Sequence, residues 1–319
     1  MVSLPLAYAT CWRYFSDIFS RIGSVTGILS GEIINLDFCR VIIYHRRFSP
    51  EYSTVNAPPS LLDTASLKKK LNGRKFGSKI FTFETIDSTN NCARALAGCW
   101  AEEGTLVLAE RQTAGKGRLG RSWLANPYEN LTFSIVLRPT LPAEALNLLP
   151  LYAAVAVAEA IEHETGLSVE CKWPNDLLIG GKKTAGILLE GSLKEEGLDY
   201  VVLGIGVNVN QTTFPDDISP RATSLKVQAG REIDRVRLLR EMLRTLEIHY
   251  TAIMKKGFHN LLPLWLSRTT MINREISVTQ DGTVISGIVR GLSPEGALIL
   301  DAGGTEKTLF AGDVTILGT

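Results

Sequence analysis

The chain has 319 residues, long enough for one large domain and a smaller one. It is 45% hydrophobic and 21% charged with a formal net charge of +1, which suits a globular protein and argues against a dedicated nucleic-acid binder. Five scattered cysteines (Cys11, Cys39, Cys92, Cys99, Cys171) form no CxxC pair, so neither a zinc site nor a disulfide framework is expected, and a reducing cytoplasm is.

Residues 1–58 mix aromatic and apolar side chains with five arginines (Arg13, Arg21, Arg40, Arg46, Arg47) and show no sustained period. The apolar amino terminus has no basic flank, so it matches a secretory signal poorly. The segment closes on NAPPS at 56–60, a linker or turn.

From about 61 to 255 the texture is mixed α/β. KIFTFETI at 79–86 alternates as a strand does, and Asp87 or Ser88 is placed to cap a helix through NNCARALA. TLVLAE at 105–110 and NLTFSIVLR at 130–138 are further strands. The apolar run ALNLLPLYAAVAVA at 145–158 has 14 residues. That falls short of the roughly 20 that span a bilayer, so it reads as a core helix. LSVECKW, AGILLEGS and YVVLGIGVNVN are strand-like, and leucines 238, 239, 243 and 246 stripe a helix over about 234–255. From about 272 five short alternating runs are separated by Asp-Gly, Pro-Glu-Gly, Gly-Gly and Gly-Asp turns, which predicts a small all-β barrel.

The chemistry concentrates in a few places. Gln112-Thr-Ala-Gly-Lys-Gly-Arg-Leu-Gly-Arg121 follows a strand and interleaves glycines with Lys116, Arg118 and Arg121. Glycine lets the backbone approach a ligand, and the cations suit phosphates or carboxylates. Gly115, Gly117 and Gly120 also spell GxGxxG. A dinucleotide fold would need a helix opening at the third glycine and an acid ending the next strand. Here Pro127 follows within seven residues and the next strand ends Leu-Arg-Pro, so that reading is set aside. Standing alone, the segment also reads as a solvated basic loop.

Lys172-Trp-Pro-Asn-Asp176 presents an amide and a carboxylate side by side. Asn can donate and accept toward a purine edge, and Asp can orient a cation. Lys183 enters an apolar strand, which is costly unless it meets an anion, whereas Lys182 reads as a surface lysine. Gly204-Ile-Gly-Val-Asn208-Val-Asn210 ends an apolar strand with two asparagines, which alone are more often turn formers. Asp87-Ser-Thr-Asn90 is first a capping pattern and second a hydroxyl-rich cradle.

Taken in order, Ser88-Thr-Asn90, GKGRLGR at 115–121 with Trp123, KWPND at 172–176, KTAGIL at 183–188 and GIGVN at 204–208 resemble the biotin protein ligase family. The resemblance covers about 61–319. It implies a class II synthetase-like α/β catalytic domain with a mixed sheet at 61–268, and a small SH3-like β-barrel at 272–319. Residues 1–58 remain an unassigned extension. It further implies ATP-dependent conversion of biotin to biotinyl-5′-AMP, with Mg2+ accompanying ATP, and transfer to a lysine of a biotin carboxyl carrier protein.

On that resemblance Ser88, Thr89, Asn90 and Gln112 would hold the biotin ring system, with Gly115, Lys116 and Gly117 closing over it. Arg118 and Arg121 would bind phosphates and Trp123 would stack on adenine. Asn175 and Asn208 would read the adenine edge, with Lys172 and Asp176 beside the nucleotide or its magnesium ion. Lys183 would bridge the biotin carboxylate and the α-phosphate; it and Arg118 are the expected catalytic pair.

Two departures from the family pattern stand out. Lys116 replaces the first arginine of the commonest loop, which keeps charge but loses the bidentate fork. No capped helix pair precedes a β-wing in 1–58, so the helix-turn-helix of repressor members is not expected, nor is DNA or membrane binding. The resemblance allows a homodimer. A lipoate ligase shares the fold but differs in its loops, and a DNA-binding regulator would need the helix-turn-helix. A dead binding module would lack Lys183 or Arg118, and both are present.

Overall fold

The computed structural model describes residues 67, 74–99, 101–194, 197–280 and 282–316. The expectations for residues 1–58, and the NAPPS linker, lie outside them. Seven strands build the first sheet: β1 Ile80–Ile86, β2 Leu106–Gln112, β3 Leu131–Leu137, β4 Glu170–Lys172, β5 Asp176–Ile179, β6 Lys182–Lys194 and β7 Gly197–Val207, in the order β1-β2-β3-β7-β6-β5-β4. Among the described strands of this sheet β1 and β2 run parallel and the other neighbours pair antiparallel. The mixed α/β texture is what the sequence pattern predicts, and the mixed sheet is what the family resemblance implies.

Helix α1 (Thr89–Cys99) follows β1 directly, and Ser88 accepts from Cys92 N through its carbonyl. The helix ends under a clamp. Arg138 donates to the carbonyls of Ala97 (2.6 Å) and Ala101 (3.1 Å), placing a cation on the negative end of the helix. Helix α2 (Leu148–Thr165) is the apolar core helix, preceded by a 3-10 turn at Ala143–Asn147 and closed by Gly166 at φ 75°. The stretch Glu144–Thr165 is long and apolar enough to cross a membrane by length and composition, yet 67% of its most apolar 18 residues are buried inside this fold.

Two short helices, α3 (Leu225–Ala229) and α5 (Leu261–Leu266), flank the long α4 (Arg235–Lys256). Asp234 caps α4, accepting from Val236 N (2.9 Å) and Arg237 N (3.0 Å). All four leucines of the predicted stripe are buried. The first residue of α4, Arg235, forms a bidentate pair with Glu110 of β2 at 2.7 and 3.2 Å, both side chains 3% exposed. It also donates to Asn130 O, so the helix start is tied to β2 and to the residue that leads into β3.

The second sheet is antiparallel: β8 Glu275–Gln280, β9 Thr283–Leu292, β10 Leu298–Ala302, β11 Thr305–Leu309 and β12 Asp313–Ile316, in the order β11-β10-β9-β8-β12. These are the five predicted runs. One hydrophobic core runs from Phe76 and α2 through Trp173 to Val278, Leu298 and Leu300 of this second sheet. Trp173 crosses the junction, and its indole N–H donates to Gly296 O at 3.1 Å.

Candidate active site

Register builds the site. Because β1 and β2 are parallel, their last residues Ile86 and Gln112 sit side by side. The Ser88-Thr-Asn turn therefore falls beside Gln112. Antiparallel pairing of β3, β7 and β6 sets Ser134 against Gly204 and Gly204 against Leu188; one pleat along, Thr132 meets Gly206 and Gly206 meets Gly186. Alternation sends Leu203, Ile205 and Val207 into the core and Gly204 and Gly206 to the opposite face.

Those glycines leave space that two side chains fill. A Cβ on Gly204 would land on Asn90 Oδ1, and one on Gly206 would land on the Trp123 ring. A Cβ on Gly186 would lie 3.1 Å from Trp123 Cζ3 and 3.3 Å from Lys183 Nζ. The sheet is thus a flat floor for an amide at one end and an indole at the other.

Between them lies a cavity of about 440 Å³, counting its open mouth. Its polar end is lined by Ser88, Thr89, Asn90 and Gln112, its loop side by Lys116, Gly117 and Trp123, and its far end by Asn175, Lys183 and Gly186. Thr132, Ile187, Leu188, Gly204, Ile205 and Gly206 complete the wall. A small, mostly concave pocket with a few convergent polar groups is the form of a small-molecule site.

The polar end is internally satisfied. Gln112 Oε1 accepts from Thr89 N (2.7 Å) and Thr89 Oγ1 (3.1 Å). Ser134 Oγ lies 2.8 Å from Thr89 Oγ1 and donates to Asn90 Oδ1 at 2.6 Å. Asn90 Nδ2 donates to Glu190 Oε2 at 2.7 Å. Ser134 and Glu190 were not anticipated. A serine and a glutamate inside strand runs carry no local signal; only the pairing of β3, β6 and β7 brings them under Asn90.

The glycine-rich segment forms no helix after its third glycine. Instead Lys116 bridges Ser122, and Arg118–Gly120 makes one 3-10 turn with Leu119 at φ 54°. The dinucleotide alternative fails on this geometry. Gly115 packs against the Trp123 carbonyl and accepts from Trp123 N (3.0 Å), so it shapes the loop base. The two loop arginines are not among the cavity-lining residues. Arg118 donates to Gly312 O (3.3 Å) and Asn175 Oδ1 (3.4 Å), and Arg121 pairs with Asp313. Burial lowers the pKa of the Arg118 guanidinium; Asp176 opposes that fall and Arg121 adds to it.

At the far end Lys183 Nζ lies 2.6 Å from Asp176 Oδ1 and 5.6 Å from the centre of the Trp123 ring. Lys183 is half-buried and Lys182 exposed, as their positions in the strand led one to expect. Asn175 donates to Ile187 O. Lys172 is pushed down by burial, with Asp176 pulling it back up and Lys183, Arg221 and Arg121 adding to the fall.

The structure brings Ser88, Thr89, Asn90, Gln112, Lys116, Gly117, Trp123, Asn175 and Lys183 to the cavity wall. It sets Gly115, Arg118, Arg121, Lys172 and Asp176 just behind that wall. Asn208 stands further off, with its amide donating to Thr223 O at 3.0 Å. Among the described residues five buried side-chain polar atoms have no hydrogen-bond partner, and two of them, Trp123 Nε1 and Asn208 Oδ1, belong to residues expected at the nucleotide. Of the two, Trp123 lines the cavity, where its indole N–H is placed to meet a bound group.

Comparison with known proteins agrees with this geometry. Residues 82–208 match the biotin/lipoate A/B protein ligase family, and residues 271–317 match the biotin protein ligase C-terminal domain. A bifunctional ligase/repressor BirA from Bacillus subtilis is 36% identical over 260 residues, covering 81% of this chain and 80% of that protein. A biotin–[acetyl-CoA-carboxylase] ligase from Mycobacterium tuberculosis is 35% identical over 271 residues, covering 82% of this chain and 97% of the other. The biotin protein ligase from Aquifex aeolicus, solved with biotin and ATP, superposes with a TM-score of 0.65 at 29% identity, covering 76% of this chain and all (100%) of that one. The fold, the ordered site residues and these relatives agree: the chain belongs to the biotin protein ligase family.

Proposed function

We propose that the protein joins biotin to ATP and passes the biotinyl group to a carrier lysine. In the first step a biotin carboxylate oxygen attacks the α-phosphorus, the bond to the β-phosphate oxygen breaks, and pyrophosphate leaves. In the second a carrier lysine amine attacks the acyl carbon, loses a proton, and expels AMP. The acceptor is a biotin carboxyl carrier protein or domain, and the reaction runs in the cytoplasm, where ATP and carrier meet.

One observation supports this reading above the others: Lys183 stands at the junction between the polar end of the cavity and the Trp123 indole, paired with Asp176. Two anions must meet there, and a movable cation between them lowers the barrier without removing the nucleophile. Ser88, Thr89, Asn90 and Gln112 hold the ring system, and Gly115, Lys116 and Gly117 close over it. Trp123 stacks on adenine, and its unpartnered N–H supports a ligand there. Asn208 Oδ1, a buried acceptor without a donor, suits the adenine amine, with Asn175 beside it. Arg118 and Arg121 turn from the second sheet to the phosphates.

Magnesium fits this site only as a companion of the phosphates. The nearby carboxylates Asp176 and Glu190 are each already paired with a lysine, and Mg2+ is usually held by one or two carboxylates plus substrate phosphates. Asp176 is the residue that would hold it, with Lys172 turned to the phosphates; the ion would offset charge on the triphosphate. We assign residues 61–268 to catalysis and 272–319 to support of the second half-reaction, with 1–58 dispensable and without a DNA operator.

The deciding experiment is mass spectrometry after incubation with ATP and either biotin or lipoate. Biotinyl-AMP should form; lipoyl-AMP alone would overturn the substrate assignment. A chain starting at Ser60 should biotinylate a carrier near the full-length rate, and full-length protein should give no footprint on promoter DNA. Loss of ligation or a specific footprint would refute the assignment of 1–58.

A further inference from the structure

Asn90 is 3% exposed and lies flat on Gly204. A primary amide offers two N–H donors and two lone pairs, and its two ends look alike in shape. Which end faces a ligand is therefore decided by its neighbours. Ser134 Oγ is a hydroxyl, able to donate or accept, so it cannot decide by itself. Glu190 can: an ionised carboxylate only accepts. With Glu190 Oε2 at 2.7 Å, the nitrogen of Asn90 must face Glu190 and the oxygen must face Ser134.

The second oxygen of the same carboxylate lies 3.4 Å from Lys116 Nζ on the glycine-rich loop. Lys116 and Asn90 line the cavity, whereas Glu190 does not. The carboxyl group is partly screened, its side chain 26% exposed. One anion thus holds a buried floor amide through one oxygen and a loop cation through the other.

We propose that Glu190 is a positioning residue of this ligase. Through Asn90 it sets the donor and acceptor pattern offered to the ring of the bound acid, and through Lys116 it tethers the loop over that ring. The proposal rests on the reading above, in which Asn90 and Lys116 belong to the biotin pocket. Each end of the Asn90 amide keeps one free hydrogen-bonding position, and the carboxylate makes those positions a fixed donor and a fixed acceptor. A glutamine at 190 has the same shape but can donate as well as accept. Asn90 could then turn over, and the pattern would become a mixture.

Glu190→Gln, Asn90→Ala and the double variant should be compared by biotin-dependent pyrophosphate exchange, with thermal melting as a control on folding. Glu190→Gln should raise the KM for biotin by about 5–20-fold, the loss of one charge-assisted contact. It should leave kcat within about twofold and the KM for ATP unchanged, a split that general loss of structure would not give. In biotin KM, which reads the arm that runs through the amide, the double variant should be no worse than Asn90→Ala alone; the Lys116 arm is read from escape of biotinyl-AMP. An unchanged biotin KM in Glu190→Gln, with a raised KM in Asn90→Ala, would overturn the proposal and spare the pocket assignment. An unchanged KM in both would overturn both. Lys116→Met tests the tether separately and does not depend on Glu190→Gln folding. It should speed escape of biotinyl-AMP from the enzyme several-fold, and an unchanged escape rate would refute that half of the proposal.

Discussion

The two ends of the site are built on opposite principles. At the polar end Thr89, Asn90, Gln112 and Ser134 are buried or nearly so and bond to one another within 3.1 Å. At the other end the loop arginines bond to the second sheet's edge, Arg118 half-buried on Gly312 and Arg121 64% exposed on Asp313. A buried network is fixed before the ligand arrives; exposed ion pairs contribute little and rearrange easily. The difference suits an enzyme that must recognise a rigid neutral ring and then enclose a flexible triphosphate. Changes at the polar end should alter folding and recognition together. Changes in the loop should alter catalysis with little effect on the fold.

The largest effect should come where the two ends meet. Lys183→Ala should keep its circular dichroism spectrum yet release pyrophosphate about 100-fold more slowly, the usual loss for one transition-state donor. Near-normal release would mean that Lys183 serves the fold alone, through Asp176.

Gly204→Ala should strike the polar end hard. The new methyl would occupy the space of Asn90 Oδ1, and overpacking of this kind costs about 1–3 kcal/mol. Calorimetry should show a lower melting temperature together with weakened biotin binding. If only one of the two changes, recognition and packing are less coupled at this end than the hydrogen bonds imply.

The smallest structural effect should come from the loop. Asp313→Asn removes a mostly exposed pair with Arg121 and should shift stability by less than about 1 kcal/mol. Arg121→Ala should be equally mild in denaturant titrations while raising the KM for ATP several-fold. A large loss of stability in either variant would show that the loop is part of the scaffold and erase the contrast.

The same contrast explains what could be read from sequence. Ser88, Thr89, Asn90, Gln112 and Lys183 stand in local patterns (a capping turn, a strand end, a lysine entering an apolar strand), and the fold brings each to the cavity. The five runs after 272 were likewise marked by their turns. Ser134 and Glu190 were not legible, because their role comes from register across β3, β7 and β6 rather than from neighbours in the chain. Nor could spacing show that Arg118 and Arg121 contact the second sheet about 190 residues away. The glycines of GIGVN could be read as a motif; their reason, room for Asn90 and Trp123, is tertiary.

The core that passes through Trp173 into the second sheet has a thermodynamic consequence. Because Val278, Leu298 and Leu300 share one hydrophobic cluster with α2 and β7, opening the far sheet exposes part of the same interior that supports the cavity. Occupancy of the cavity is then felt throughout. A ligand at one hundred times its Kd adds about 2.7 kcal/mol to every opening that destroys its site. Backbone amides of β8 and β10 should therefore exchange with deuterium more slowly when biotin and ATP are bound, although neither strand lines the cavity. The far sheet becomes a thermometer, read at two strands that do not line the cavity.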